Sequence, residues 1–519
     1  MSRSPTRAWR SVGAALMLAT ALPLLQARTQ PPTVPASSGP PGLAAAGASS
    51  TSSSPAAAPR AWLTEPVEAR HEGYRSIFIE LPVPEGAATP LGTISGTAYL
   101  KDPPRNGGKA APRPLLFLFN GGPGASSTPL HLNAIGPRRF IERPGRTPER
   151  QLEPNTQTVL DAMDLVFIDP PGTGFSQVFE TGRSALWTTE TDARVAAGFV
   201  RCWLKKLGRE NSPVYIGGQS YGGFRLASMM RYASDLPPLS GLVFISPLLD
   251  ASATSASVGN ELAYALQFPS MVVAAWQHGK GQRGEQGRSV EEVFSRAEDF
   301  ARGVYLPALL EGSRLSAKRA GLVAARMSGL LGMSPGELLA QRLRPDSEQF
   351  LTTVLGRPEA RLGRLDTRVI GSTAPPPPGR PTNDPSLVVS SAPAGRSLTP
   401  TEAYFREELN VPITRKYVPL SFTVNGGWNY FDRSIADGFY INPTRYVAEV
   451  MRQQPALRLL YVGGYYDMAV PVAAAQYALE HADLPMARVQ MQLLPGSHNP
   501  YDDEANLQRF TQRLREFVR

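Results

Sequence analysis

A single cysteine, Cys202, stands in 519 residues, so no intramolecular disulfide can form and packing must hold the fold together. The same scarcity excludes tetrahedral zinc sites built from thiolates. Only five histidines are available for any other metal, and the chain carries no metal or cofactor motif. Long apolar runs are also missing. Beyond the N-terminal region no uninterrupted stretch reaches the roughly 18 residues that a membrane-spanning helix needs. Basic clusters are absent as well: the formal charge is +9 with a pI near 9.6, but the arginines are scattered. That distribution reads as a solvated basic surface and argues against nucleic acid as a partner. With 42% apolar and 19% charged residues, the composition excludes wholesale disorder.

What is present begins with an export signal. Arg3, Arg7 and Arg10 precede an apolar run from Val12 to Leu25, with small residues near Ala27. This predicts a secretory signal over 1–27, an exported, periplasmic or secreted chain, and no stable membrane insertion once the signal is removed. No cysteine lies just after the run, so a lipid anchor is not supported. Residues 28–60, dominated by Pro, Ala and Ser, read as a disordered linker.

From Ala69 to Lys101 apolar and polar residues alternate between Pro and Gly, as antiparallel hairpins do. The pattern then changes to short continuous apolar runs, Leu115 to Phe119, Leu165 to Ile168, Val214 to Ile216 and Leu242 to Ile245. Runs of this kind suit strands buried on both faces. A helix from Thr188 to Leu207, acidic at its start and basic at its end, lies between two of them. Strand, helix and strand in succession predict an α/β fold with a mostly parallel central sheet and helices on both faces.

The strand pattern lapses over 251–455 and returns with Leu457 to Val462 and Val489 to Leu494. Ser289 with Glu292, Ser334 with Glu337 and Thr399 with Glu402 match capping boxes. The interval is therefore read as an inserted, mainly helical cap with a mobile Pro-rich loop at 371–398, dividing a core of 61–250 and 456–519. A closing helix carries the stripe Leu507, Phe510, Leu514 and Phe517.

The chemically informative segment is Val214-Tyr215-Ile216-Gly217-Gly218-Gln219-Ser220-Tyr221-Gly222-Gly223-Phe224-Arg225. It places Gly-x-Ser-x-Gly between a strand and a helix, the setting of a nucleophile elbow, and marks Ser220 as the candidate nucleophile. A serine hydroxyl needs a histidine base, and the histidine needs a carboxylate to fix its tautomer. His278, His481 and His498 follow the elbow, and the two in the C-terminal part of the chain, His481 and His498, are the candidates. His498 sits in a loop just after a strand and is the expected base, whereas His481 ends a helix and is expected at the surface. Asp467, in the loop leaving the preceding strand, is the expected acid, with Asp250 as the alternative. Asn120-Gly121-Gly122-Pro123-Gly124 follows the Leu115 to Phe119 strand and supplies a glycine turn. The N–H groups of Gly122 and Tyr221 are the candidate oxyanion donors.

These residues resemble the serine carboxypeptidase family, in a form similar to its bacterial-type members. The likeness is carried by Phe119 to Ser127, by Asp169-Pro170-Pro171-Gly172-Thr173-Gly174-Phe175-Ser176, by Gly218 to Gly223, by Asp467 to Pro471 and by Gly496-Ser497-His498. It implies the α/β-hydrolase fold and a peptide substrate cut at its C-terminal bond through an acyl-enzyme on Ser220. It further implies that Asn120, the Gly121 amide and the residue at 219 hold the substrate's terminal carboxylate. The family's usual pair of glutamates is replaced by Gln219 and Ala134, and its cysteine in the first motif by Ala125. Gln219 is neutral at every pH, so carboxylate binding without an acidic bias is expected. An esterase or acyltransferase with the same triad, and an exported binding protein without chemistry, are the alternatives.

Overall fold

The structure, a computed structural model, describes residues 62–63, 65–103, 111–141, 151–281, 286–376, 380–387, 398–431, 436–437 and 440–519. The expected signal and linker over 1–60, and 388–397 of the Pro-rich stretch, lie outside the described residues. The main sheet has nine strands: β1 Val67–His71, β2 Tyr74–Val83, β3 Gly92–Lys101, β4 Leu115–Phe119, β5 Asp164–Asp169, β6 Val214–Gln219, β7 Leu239–Ile245, β8 Arg458–Gly464 and β9 Val489–Leu494. Their spatial order is β1-β2-β3-β5-β4-β6-β7-β8-β9. β1, β2 and β3 pair antiparallel, and β3 joins β5 antiparallel. From β5 to β9 every pairing is parallel.

The continuous apolar runs become strands because both faces of the parallel part are covered. All five residues of β4 are buried, with Leu115, Phe117 and Phe119 packed in one layer and Leu116 and Leu118 in the other. On the first face lies α1, Thr189–Lys206. Thr188 caps it by accepting from Thr191 N–H, and Ala193, Ala197, Val200 and Trp203 turn inward, Trp203 meeting Phe117 edge to face. The helix that follows β6 is α2, Tyr221–Met229.

Between β7 and β8 the chain builds a second apolar core from α3 Glu261–Gln277, α4 Val290–Phe300 and α5 Ala317–Leu331. Each capping box read from the sequence is formed, at Ser289, Ser334 and Thr399. Tyr465 and Met468, from the loop after β8, pack into this core, so the inserted helices rest on the loop that carries Asp467. α6 Thr444–Gln453 and α7 Val472–Glu480 return to the first face of the sheet. The second face is closed by α8 Glu504–Val518 through Leu507, Phe510, Leu514 and Phe517. Burial of each of those side chains contributes about 1.5–3 kcal/mol, an upper figure because unfolded chains already bury some apolar surface.

The described residues of the Pro-rich stretch make specific contacts. Ile370–Ser372 pairs antiparallel with Ala360–Leu362. Further on, Asp384 accepts from the Arg364 amide at 3.2 Å and Ser386 Oγ accepts from the Leu365 amide at 3.0 Å. Short polar side chains among the prolines supply acceptors that composition alone does not weigh.

Candidate active site

β6 ends at Gln219, and Ser220 turns the chain into α2 with φ 59° and ψ −128°. A side chain in that region is strained and persists only where its surroundings fix it. Here Ser220 N–H donates to Ile245 O at 3.0 Å, and Ser220 O accepts from Gly223 N–H at 2.8 Å and Leu248 N–H at 3.0 Å. The flanking glycines are steric necessities. A Cβ at Gly218 would lie 2.1 Å from Gly222 O, and one at Gly121 would lie 2.4 Å from Tyr221 N. The glycine turn after β4 thus presses backbone to backbone on the start of α2. Gly122 occupies that turn at φ 101°, and Tyr221 offers the first amide of its helix, a donor without an intrahelical partner.

The expected acid and base meet across neighbouring strands. β8 leads to Asp467 and β9 to His498, and His498 Nδ1 lies 2.7 Å from Asp467 Oδ2. Asp467 Oδ1 accepts from the amides of Ala469 at 2.7 Å and Val470 at 3.0 Å, which fix the carboxylate. With Nδ1–H directed at Asp467, a neutral imidazole carries its lone pair on Nε2. Ser220, Asp467 and His498 are all buried. No hydrogen bond joins Ser220 to His498; such contacts commonly tighten only around substrate.

The alternatives lie elsewhere. Asp250 caps a short helix through the amides of Ser252 and Ala253 and receives Tyr440 OH and Asn442 Nδ2. His481 is exposed at the end of α7, stacked on Tyr477. Among the described residues no group of three or more His, Cys, Asp and Glu could hold a metal, and no helix is long and apolar enough to cross a membrane.

Gln219 joins the two halves of the site. Its Oε1 accepts from Asn120 Nδ2 and from Tyr501 OH, both at 2.6 Å. Its Nε2 donates to His498 O at 2.9 Å and to Asn499 Oδ1 at 2.7 Å. Both amide hydrogens and the oxygen are engaged, so direct donation from Gln219 to a substrate carboxylate requires one of these bonds to be given up. Asn120 also accepts from the Leu130 amide at 3.3 Å. Ala134, where the family has its other glutamate, is buried, and its carbonyl accepts from Asn155 Nδ2 at 2.7 Å.

Several supporting residues escape the sequence reading. Asp192 looks like a helix-dipole residue in the first turn of α1, yet it is buried and takes Arg225 Nε at 2.8 Å. Arg225 Nη1 donates to Asn120 O at 2.8 Å, and its guanidinium stacks over Phe119 and Tyr221. Asp169, in the second motif, accepts from both N–H and Oγ of Ser127 at 2.8 and 2.7 Å. Burial pushes its carboxyl above the ordinary range, with those bonds opposing. The second motif therefore braces the first. An arginine just inside an elbow helix is the signal that was available for Arg225.

The serine carboxypeptidase family profile matches residues 105–235, which include the glycine turn, the second motif and the elbow. Over those residues the chain is similar to the serine carboxypeptidases. Pheromone-processing carboxypeptidase KEX1 of Komagataella phaffii is 36% identical over 126 residues, covering 23% of this chain and 18% of that protein. Serine-type carboxypeptidase F of Aspergillus niger is 33% identical over 110 residues, 21% of this chain and 19% of that one. The matched stretch thus spans about a fifth of these relatives' length. The crystal structure of Kex1(delta)p, a prohormone-processing carboxypeptidase from Saccharomyces cerevisiae, superposes with a TM-score of 0.50 at 13% identity, covering 86% of this chain and 90% of that one. That likeness concerns the fold, and the chain has the α/β-hydrolase fold of this carboxypeptidase.

Proposed function

We propose that the chain is an exported serine-type carboxypeptidase. The reading rests above all on the Asp467–His498 pair, 2.7 Å apart on loops of the same sheet whose elbow carries Ser220. In the proposed reaction Ser220 Oγ attacks the carbonyl of the C-terminal peptide bond and gives its proton to His498 Nε2. The oxyanion forms against the N–H groups of Gly122 and Tyr221. Collapse breaks the C–N bond, His498 returns the proton to the departing amine, and the C-terminal amino acid leaves. Water, deprotonated by His498, then frees Ser220 and the shortened peptide. Asp467 fixes the imidazole and stabilises its cation.

The Asn120 side chain and the Gly121 amide are assigned to the substrate's terminal carboxylate, with Gln219 acting by orienting Asn120. Export rests on the N-terminal segment: a signal over 1–27, a linker over 28–60, then a hydrolase core of 61–250 and 456–519 around an inserted 251–455. A second reading, esterase or acyltransferase, draws on Gln219 and Ala134 standing where the family has acids.

The test is release of C-terminal residues from N-blocked dipeptides by mature protein between pH 4 and 9, beside p-nitrophenyl esters, with Ser220→Ala as control. Peptide turnover should appear and fall by about 10⁴-fold or more in the control. Turnover of esters alone would move the assignment to the second reading.

A further inference from the structure

A strap from the inserted region, residues 364–368, runs between the acid loop and the histidine loop and bonds to both. On the acid side it brackets Asp467: Met468 N–H donates to Arg364 O at 3.0 Å, and Thr367 N–H donates to Tyr466 O at 3.1 Å. On the base side His498 N–H itself donates to Leu365 O at 2.8 Å. The strap is anchored from behind by Asp384 and Ser386, and by His278 Nε2, 2.6 Å from Thr367 O.

One side chain repeats this bridging. Arg368 Nε and Nη2 donate to the two carboxylate oxygens of Asp366, each at 2.9 Å. Nη2 also pairs with Asp502, whose Oδ2 accepts from the Ser497 amide at 2.9 Å, while Nη1 reaches Pro495 O at 3.3 Å. The guanidinium lies 4.9 Å from the centre of the Tyr466 ring. Arg368 thus touches the residue before Asp467 and, on the other loop, holds the chain leading to His498. A planar fork of five donors suits such a node as no other side chain does.

We propose that the 364–368 strap, with Arg368 as its node, is a positioning element that sets the geometry of the Asp467–His498 pair. The inference rests on the triad assigned above. The two loops also bond directly, Tyr466 N–H to Gly496 O at 3.0 Å, so removing Arg368 loosens the pair without abolishing the loops. A displacement of the base on the order of 1 Å is enough to slow nucleophile activation by about 10- to 100-fold.

The experiment is the rate at which a fluorophosphonate probe labels Ser220 in the full mature chain, which needs an activated serine and no particular substrate. Four proteins are compared: wild type, Arg368→Ala, Arg368→Lys and Arg344→Ala. Arg344 makes an equally bidentate pair, with Glu261 at 2.6 and 2.8 Å, far along the chain from either loop. Labelling should slow by about 10- to 100-fold in Arg368→Ala and less in Arg368→Lys. Arg344→Ala should label at the wild-type rate even where its melting temperature falls as far. Wild-type labelling in Arg368→Ala, or equal slowing in Arg344→Ala, overturns the positioning role. Should Arg368→Ala fail to fold, Arg368→Lys against Arg344→Ala decides the matter by the same criterion. A wild-type chain that the probe does not label at Ser220 instead overturns the triad itself, a distinct result.

Discussion

Arg225 and Asp192 form an ion pair with almost no solvent exposure on either side chain, Nε to Oδ2 at 2.8 Å. Asp192 belongs to α1 and Arg225 to α2, so the pair ties the helix that follows the elbow to the helix covering the sheet. Through Nη1 the same guanidinium holds the carbonyl of Asn120, at the start of the glycine turn. Nucleophile turn and glycine turn are therefore referenced to one buried cation.

Removing that cation should be costly. Burial alone pushes the Asp192 carboxyl above the ordinary range, and Arg225 opposes the shift. Arg225→Met leaves Asp192 desolvated and unpaired, and breaking buried pairs in this way typically costs about 3–5 kcal/mol. The double change Arg225→Met with Asp192→Leu should recover most of that, because no buried charge remains. Urea unfolding midpoints of the two variants and the parent measure it. Equal midpoints for parent and Arg225→Met would show the pair to be energetically idle.

How much was legible in the sequence follows from the range over which each feature is encoded. β4, β6, β7 and β8 are visible because both faces are buried and each carries a short unbroken apolar run. Ser220 is visible because its turn needs glycines two residues away on either side, a local demand. Asp467 and His498 could be chosen because functional groups of parallel sheets sit in the loops beyond the strand ends. The partnership of Asp192 with Arg225 was hidden because an acid in a first helical turn already has a sufficient local explanation. Gln219 was readable as a substitution but not as a junction, since its four partners come from two segments far apart in the chain, Asn120 and the 498–501 loop. The three backbone hydrogen bonds by which the 364–368 strap meets the two loops leave no trace in residue identity.

Gln219→Glu tests that junction. The amide nitrogen faces two oxygens, His498 O and Asn499 Oδ1. A carboxylate there would face them without a hydrogen. Asn499 can turn its own nitrogen inward, but the His498 carbonyl cannot change its character. The protonated glutamic acid is therefore favoured, and its pKa should lie above the ordinary carboxyl value. Ionisation as the pH rises through that raised value should push the histidine loop away. The variant is expected to retain most of its kcat/KM near pH 5 and to lose about tenfold by pH 8 relative to wild type, in line with one unsatisfied buried acceptor of about 1–3 kcal/mol. Superimposable pH profiles for the two proteins would remove Gln219 from the positioning of the base.

His131 should govern part of the acid sensitivity of the fold. Its ring stacks on Phe167 with centroids 4.3 Å apart, and Nε2 lies 2.6 Å from Tyr99 OH. Burial lowers its pKa to about 3, whereas the unfolded chain titrates near 6.5. Between those values the unfolded state binds a proton that the folded state does not, so stability is full above about pH 6.5 and falls as the pH drops toward 3. At pH 4 the loss from this one group amounts to roughly 3 kcal/mol. His131→Phe keeps an aromatic ring against Phe167, and Tyr99 OH retains Tyr404 OH at 2.9 Å. The variant should start about 1 kcal/mol less stable at neutral pH, for the lost hydrogen bond, yet lose less between pH 7 and pH 4. Urea midpoints at both pH values provide the comparison. A variant whose midpoint falls as steeply as the parent's would place the acid sensitivity in other groups.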